Sequence, residues 1–407
     1  MLGMILTSRK DGEISLSKYA YVGAVLSDPH SGAFDAKIWY DELNKGFIKD
    51  LEALAILDFL IISGDFYHTK ISANSDHAKY SMKFFSKLLK ICKEKNAKFR
   101  IIKGTESHDN KQLEMLEGLQ GATECDFRVI HTVEKEWLFE DLKVLYIPEE
   151  YMEDKDEFYK EYFEDTYDYV IGHGVVDKAA FLAASQESEA TRSQAPIFKT
   201  DDLHEICKGP IYFGHIHKPM QVGRFRYVGS YSRWAFGEEE DKGYIMTYYN
   251  PETGEYADEF IVNKRARRFD TVKIEYTSAV FSKTEKEQIE YFLELGTALL
   301  VDYLRLEINI PEEYPNPMLL TSMLNETFSK YSKIKLKINN NSKLRQKKET
   351  EEKVNILLDR FGFIFDKSLE PEEKISRYIK IKNGRNIPVE RMRRYLTEEI
   401  SVRGNNK

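Results

Sequence analysis

The run Ile211-Tyr212-Phe213-Gly214-His215-Ile216-His217 sets two imidazoles, one residue apart, just past an apolar, β-prone segment that stops at a glycine. If that segment is a strand entering a tight turn, both rings leave the same strand end. Neutral imidazole is the commonest transition-metal ligand, so such a pair can serve one ion or two adjacent ions. Taken alone, two histidines in a surface loop are the plainer reading. Four stretches upstream weigh against it. Residues 21–27 (YVGAVLS) end at Asp28-Pro29-His30, and residues 56–63 (ILDFLIIS) end at Gly64-Asp65-Phe66-Tyr67-His68. Residues 99–103 (FRIIK) end at Gly104-Thr105-Glu106-Ser107-His108-Asp109, and residues 167–171 (YDYVI) at Gly172-His173-Gly174.

Aspartate caps helices and histidine fills loops, so any one of these turns is ordinary. Five of them, each at the end of an apolar run, are not. Two carboxylates with several imidazoles form a ligand set of intermediate softness, suited to Mn, Fe or Zn rather than to Ca or Mg alone. No cysteine falls in any of the turns, which argues against a closed structural zinc site. Two ions held about 3.5–4 Å apart can activate a water and neutralise the attacking and leaving oxygens of a phosphate ester. One carboxylate must then bridge them, and Asp65, fixed by the glycine before it, suits that role. His108 stands next to Asp109, whose carboxylate is expected to orient the ring and raise its basicity. A protonated His108 would stabilise the charged transition state or donate a proton to the leaving oxygen.

The elements that must carry these turns alternate. Helical periodicity covers residues 38–54 and 79–95, the second with Met82, Phe85, Leu88, Leu89 and Cys92 on one face. Strands alternating with helices predict an α/β core whose ligands lie beyond the carboxyl ends of the strands. At 407 residues the chain exceeds one compact core, so two or three domains are expected. No run approaches 18 uninterrupted apolar residues, and residues 1–10 lack the pattern of a secretory signal. Cys92, Cys125 and Cys207 lie far apart without metal-type spacing, which points to a reducing, cytoplasmic setting and no disulfide framework. The net charge of −8 announces no nucleic-acid partner, although a local basic patch or bound cations would escape that count.

The series Asp28-x-His30, Gly64-Asp65-x-x-His68, His108-Asp109, Gly172-His173 and Gly214-His215-x-His217 resembles the calcineurin-like metallophosphoesterases. Within them it is similar to the SbcD-type DNA repair and recombination nucleases, phage relatives included. The narrower likeness rests on Tyr227-Val-Gly-Ser230 and on Phe236-Gly-Glu-Glu-Glu-Asp-Lys-Gly-Tyr244. The resemblance covers about the first 245 residues. It implies an α/β (α+β) fold: a metallophosphoesterase β-sandwich flanked by helices, a small α+β cap and a helical tail. It also implies two divalent ions, Mn2+ above all, with Mg2+, Fe2+ or Zn2+ as substitutes. Asp28, His30 and His217 are then ligands of one ion, His173 and His215 of the other, and Asp65 bridges them. His108 becomes the transition-state histidine. His68 matches a histidine common after the second motif, as either a ligand or a structural residue. The family's third motif is Gly-Asn-His-Asp, with the Asn on the second ion. Here the stretch is two residues longer and has no Asn, so Ser107, Glu106 or a water takes that place, and alignment favours Ser107.

Beyond this core, residues 184–194 read as a polar surface loop, and Lys264-Arg265-Ala266-Arg267-Arg268 as a solvated exit from the core or a contact for DNA phosphates. Residues 269–340 alternate strand (271–276), helix (283–295), strand (303–310), helix (318–330) and strand (333–339). The resemblance makes this unit the DNA-facing cap. Residues 339–350 form a polar, basic linker. Helical stretches near 351–361 and 389–402 follow, with Val354, Leu357, Leu358, Phe361, Phe363, Ile364 and Phe365 giving more apolar surface than a lone helix pair can bury. The domains are therefore expected at 1–265, 266–340 and 341–407. The likeness implies that residues 345–407 dock on an SbcC-type coiled-coil ATPase, with DNA ends as substrate and a homodimer as one assembly. The expected activity is two-metal DNA exonuclease or endonuclease cleavage in end processing, repair or recombination. Hydrolysis of small phosphodiesters, or a DNA-end-binding scaffold with an impaired second site, are the alternatives.

Overall fold

A computed structural model of the chain describes residues 19–121, 123–177, 196–276, 302–311, 317–340 and 368–383, with single residues and short pieces elsewhere. Contacts divide the chain into two units, Met1–Asp270 with Val301–Tyr303, and Thr271–Leu300 with Leu304–Lys407. The first unit runs β1 (Tyr21–Leu26), α1 (Ala36–Lys45), α2 (Phe47–Ala53), β2 (Phe59–Ser63), α3 (Asp76–Lys95), β3 (Lys98–Ile102), α4 (Glu114–Glu117) and β4 (Phe127–Ile130). It continues with β5 (Glu134–Phe139), β6 (Leu142–Ile147), α5 (Lys155–Phe163), β7 (Tyr169–His173), β8 (Val175–Val176), β9 (Ile197–Phe198) and α6 (Thr200–Ile206). The last strands are β10 (Ile211–Gly214), β11 (Met220–Val222), β12 (Phe225–Tyr227), β13 (Gly243–Asn250) and β14 (Glu255–Val262).

Two six-stranded sheets result, ordered β14-β13-β1-β2-β3-β4 and β11-β12-β10-β7-β6-β5. The central strands β1 to β4 run parallel, as do β6, β7, β10 and β12, while antiparallel strands close the edges. The two-residue period of a strand explains the layering. Val25, Ile61, Tyr146, Ile171, Tyr212 and Ile245 point between the sheets and form one core. Their neighbours Ala24, Leu26, Leu60 and Ile62 point the other way, into a core shared with Trp39 of α1 and Phe84, Phe85 and Leu88 of α3. On the far side of the second sheet, Leu145, Val170 and Phe213 meet Tyr159 of α5 and Leu203 and Ile206 of α6. Strands buried on both faces must be apolar throughout, hence FLIIS in β2 with every residue buried. The mixed α/β class expected from the alternation is the one found, as a helix–sheet–sheet–helix sandwich.

One expected element splits. Residues 38–54 are two helices, α1 and α2, parted at Gly46 (φ −105°, ψ −97°). A Cβ there would meet the Tyr231 hydroxyl oxygen at 2.2 Å, and that oxygen accepts a hydrogen bond from Phe47 N at 2.8 Å. Periodicity carried through the break because the apolar stripe resumes in α2.

In the second unit β15 (Phe269–Glu275), β16 (Tyr303–Ile310) and β17 (Ile334–Asn340) form a sheet in that order, with α7 (Pro317–Phe328) between β16 and β17. β16 and β17 are parallel. Leu304, Leu306, Ile308 and Ile310 alternate into a buried face, and α7 buries Leu320, Leu324 and Phe328 at helical spacing. A helix that sequence reading passed over, α8, spans Pro371–Asn383. The loop expected at 184–194, most of the helix at 283–295, and the tail helices at 351–361 and 389–402 lie outside the described residues, save a few positions.

Candidate metal centre

The parallel strands β1, β2, β3, β7 and β10 deliver all five turns to one rim of the sandwich. Three come from one sheet and two from the other. The turns after β1 and β2 are zipped together: His30 N donates to Asp65 O at 3.1 Å, Ser31 N to Phe66 O at 2.8 Å, and His68 N to Ser31 O at 2.9 Å. From α1, Trp39 Nε1 donates to Pro29 O at 2.5 Å and pins the first turn from behind. Across the sheets, His173 Nδ1 donates to Ser63 O at 2.8 Å, which leaves its Nε2 lone pair facing Asp65 Oδ1 at 3.2 Å. That bond fixes the tautomer a metal ligand needs.

The backbone at this rim is strained. Among the described residues five non-glycine residues have left-handed φ, and four of them are Asp28 (48°), His30 (45°), Asp65 (49°) and His215 (94°). Each such residue costs about 1–3 kcal/mol and persists only where its surroundings over-determine it. Four expected ligands sharing this conformation are not ordinary loop residues.

Two groups of side chains converge. Asp28, His30 and His217 bring one ligand atom each within 4.8 Å of one another, and so do Asp65, His173 and His215, all buried except the partly exposed His217. His30 Nε2 and His217 Nε2 face each other at 2.9 Å, with Asp28 Oδ1 3.9 Å from His30 Nε2. Asp65 stands between the groups: Oδ1 lies toward His173 and Oδ2 lies 3.8 Å from His30 Nε2. Asp28 is itself oriented, accepting from the Ser27 hydroxyl and from His215 N at 3.1 Å. The donors are two carboxylates and four imidazoles, buried and converging, which fits divalent metal ions. These clusters could hold a metal.

Electrostatics point the same way. Burial opposes a positive charge on His173, yet the Asp65 carboxylate outweighs it and raises the ring well above the usual imidazole range. Burial likewise opposes ionisation of Asp65, but His173 holds it well below the usual carboxylate range. His30 is driven the other way, first by burial and then by His217. The rim therefore draws in positive charge, and one buried imidazole remains neutral, as a ligand must be.

The remaining candidates distribute unevenly. His108 Nδ1 donates to the His68 carbonyl, and its Nε2 lies 4.0 Å from Asp65 Oδ2. Its ring is therefore aimed by a backbone carbonyl and not by Asp109, against expectation. Asp109 instead ties two turns together, accepting from Tyr67 N at 2.9 Å and Gly104 N at 2.8 Å. Burial, then the Asp65 charge, pushes its carboxyl up to about 7. His68 sits with Nδ1 3.3 Å from His30 Nδ1 and groups only with His30 and His108, outside both aspartate-containing groups.

Ser107 and Glu106 are both exposed, and Glu106 pairs with Lys103 Nζ at 3.1 Å. Neither reaches the second group. The two extra residues of this turn bulge outward, and the inward place belongs to Thr105. Its amide donates to Asp65 Oδ1 at 2.6 Å, and its hydroxyl lies 3.5 Å from both Asp65 Oδ2 and His173 Nε2 and 3.4 Å from His215 Nδ1. Beside it stands Glu149, missed in the sequence because no histidine or glycine accompanies it. Its Oε2 lies 3.2 Å from Thr105 Oγ1 and 3.3 Å from His215 Nδ1. At the other group, Glu238 Oε1 lies 3.6 Å from His217 Nδ1, and the fully buried Lys242 bonds Glu238 and Glu240 at 2.8 Å each and the His217 carbonyl at 2.8 Å. Burial alone would raise the Glu238 carboxyl, but His217 and Lys242 bring it down to about 2.

No protein-family description and no curated protein matches the chain. Among solved structures, one crystal structure aligns over 59% of this chain and 98% of its own at 12% identity, with a TM-score of 0.31. The fold therefore rests on the strand order above. No helix among the described residues is long and apolar enough to cross a membrane.

Proposed function

We propose that the chain is a two-metal phosphodiesterase of the SbcD type that cleaves DNA, with Mn2+ as its preferred ion. The observation that carries this reading is Asp65: one carboxylate with an oxygen toward each of two buried His/Asp groups. Asp28, His30 and His217 would hold one ion, and His173 and His215 the other. The ions would supply an activated water and charge neutralisation at the phosphate. The protein's own groups do the rest. His108, its Nδ1 proton committed to the His68 carbonyl, would donate from Nε2 to a phosphate or leaving oxygen when its ring is protonated. Asp109 and Thr105 hold the turns that carry it.

DNA is favoured as substrate by the likeness of Phe236–Tyr244 and by the α+β unit that follows the core. The ATPase partner is an expectation resting on the apolar residues of 354–365 and the basic linker before them. The test is hydrolysis with Mn2+ of linear DNA and of bis(p-nitrophenyl) phosphate. Cleavage of both is expected. Cleavage of the small diester alone makes the protein a small-substrate phosphodiesterase. DNA binding without hydrolysis makes it a scaffold. Truncation near Lys343 is expected to keep diester hydrolysis and lose co-purification with an SbcC-type ATPase; a truncated chain that still binds it refutes the docking role of 345–407.

A further inference from the structure

We infer that His30, His68 and His108 form a third ion site, an all-imidazole one for Zn2+, whose occupation withdraws His108 from catalysis. The site itself is independent of the two-ion reading, while its effect on rate rests on the role given to His108 above. One ring nitrogen of each of the three lies within 4.8 Å of the other two. His68 and His108 meet His30 edge to face, with ring centroids 5.2 and 4.9 Å away, and stand 5.2 Å from each other. The tautomer of His108 suits a ligand: its Nδ1 proton goes to the His68 carbonyl, so the neutral ring presents the lone pair of Nε2. His30 and His68 face each other through their Nδ1 atoms at 3.3 Å. Two nitrogens bound to one tetrahedral Zn2+ at about 2.0–2.1 Å stand roughly 3.3 Å apart, so this pair already has the spacing of two ligands. Without an ion, one of the two nitrogens donates a proton to the other, and Zn2+ takes that proton's place.

Ligand chemistry separates this site from the two aspartate-containing groups. Three imidazoles with an open fourth position are a zinc arrangement. Mn2+ binds nitrogen ligands more weakly and favours the groups that offer carboxylate oxygen. Access differs too: His30 is buried, but His68 and His108 are partly exposed, so an ion can enter from solvent. The two kinds of site compete for His30. Its Nε2 faces His217 at 2.9 Å, while its Nδ1 faces His68. A neutral imidazole has one lone pair, so His30 serves the first ion or Zn2+, not both. Zn2+ in the three-histidine site therefore takes a ligand from the first ion and occupies the nitrogen through which His108 would donate.

The experiment adds Zn2+ to the Mn2+-loaded full chain, wild type against His68→Phe, and follows hydrolysis of bis(p-nitrophenyl) phosphate. Wild type is expected to lose about 10²-fold or more in rate, the loss typical of removing a proton donor. Even an outer partner of a ligand is worth about 10–100-fold in metal affinity. His68→Phe, measured against its own zinc-free rate, is therefore expected to need at least about 10-fold more Zn2+ for half inhibition. Anomalous scattering at the zinc edge, from wild-type crystals soaked in Mn2+ and then Zn2+, is expected to place Zn2+ about 2.0–2.1 Å from one nitrogen each of His30, His68 and His108. Equal inhibition of the two proteins means that Zn2+ acts at the aspartate-containing groups and overturns the inference. So does zinc bound by the three histidines without loss of rate, or a zinc peak found only elsewhere. A chain that hydrolyses nothing with Mn2+ overturns the two-ion reading instead, and the position of the zinc peak then decides the site alone. If His68→Phe melts below wild type, His68→Asn replaces it with the same expectation.

Discussion

Gly104→Ala tests whether the rim is held by close backbone approach. A Cβ built on Gly104 would lie 2.2 Å from the Asp65 amide nitrogen, 2.2 Å from Asp65 Oδ1 and 3.0 Å from Asp65 Cα. Ordinary contact begins at 3.4 Å, so the two turns must part by about 1.2 Å. Two of the three atoms are backbone, and no rotamer change relieves them. The movement pulls on the bonds from Gly104 N to Asp109 and from Thr105 N to Asp65. Overpacking of this kind costs about 1–3 kcal/mol, which for a domain of this size lowers Tm by roughly 3–10 °C. Displacing the bridging carboxylate by about 1 Å should cost on the order of 10²-fold in rate. The control is Gly118→Ala. Gly118 is exposed, has helical φ and ψ (−56°, −13°), and its Cβ would find only Met115 O at 3.6 Å. Alanine there is expected to be neutral or stabilising by up to about 1 kcal/mol. The assays are melting of the metal-free proteins, Mn2+ titration, and diester hydrolysis. If Gly104→Ala matches wild type in all three, or if Gly118→Ala suffers equally, the reasoning fails.

Three further outcomes follow from the same geometry. His108→Ala should retain Mn2+ uptake and lose about 10²–10³ in hydrolysis rate, because His108 lies outside both aspartate-containing groups; loss of an ion on calorimetry refutes that role. Glu238→Gln should weaken the first ion by about 10-fold and leave the second alone, since it faces His217 Nδ1; an equal effect on both ions counts against it. Away from the site, burial opposes charge on Glu136, but its hydrogen bonds with Arg100 at 3.0 and 2.7 Å depress its pKa below 4.5. A depressed carboxyl contributes stability that is complete above the unfolded value and is lost as pH falls through the folded one. The Tm gap between wild type and Glu136→Gln should therefore be widest near neutral pH and close as pH falls through the depressed folded value. A constant gap refutes the linkage.

The legible part of this protein was the part where chemistry and chain geometry coincide. Five apolar runs, each stopping at a glycine or proline with Asp or His beside it, located β1, β2, β3, β7 and β10 and the six Asp and His side chains that converge. The glycines were informative because the bond that aims His173 runs where their side chains would be: a Cβ on Gly64 would meet His173 Nδ1 at 2.1 Å, and one on Gly214 would meet Ser63 O at 2.2 Å. What stayed hidden had no such local mark. That the five strands divide between two sheets depends on β13 and β6, whose pairing is long-range. The inward place in the third turn was misassigned for a related reason. Alignment counts back from His108, whereas the backbone decides by which amide can reach Asp65, and that amide belongs to Thr105. Glu149 was harder still, because a glutamate after a proline at a strand end is commonplace. Its place at the rim appears only when β6 is laid beside β7, Tyr151 takes one of its oxygens, and His215, 66 residues later, meets the other. In this fold each parallel strand of the second sheet ends on the same rim, so a carboxylate can stand beside the histidines from a strand no motif includes.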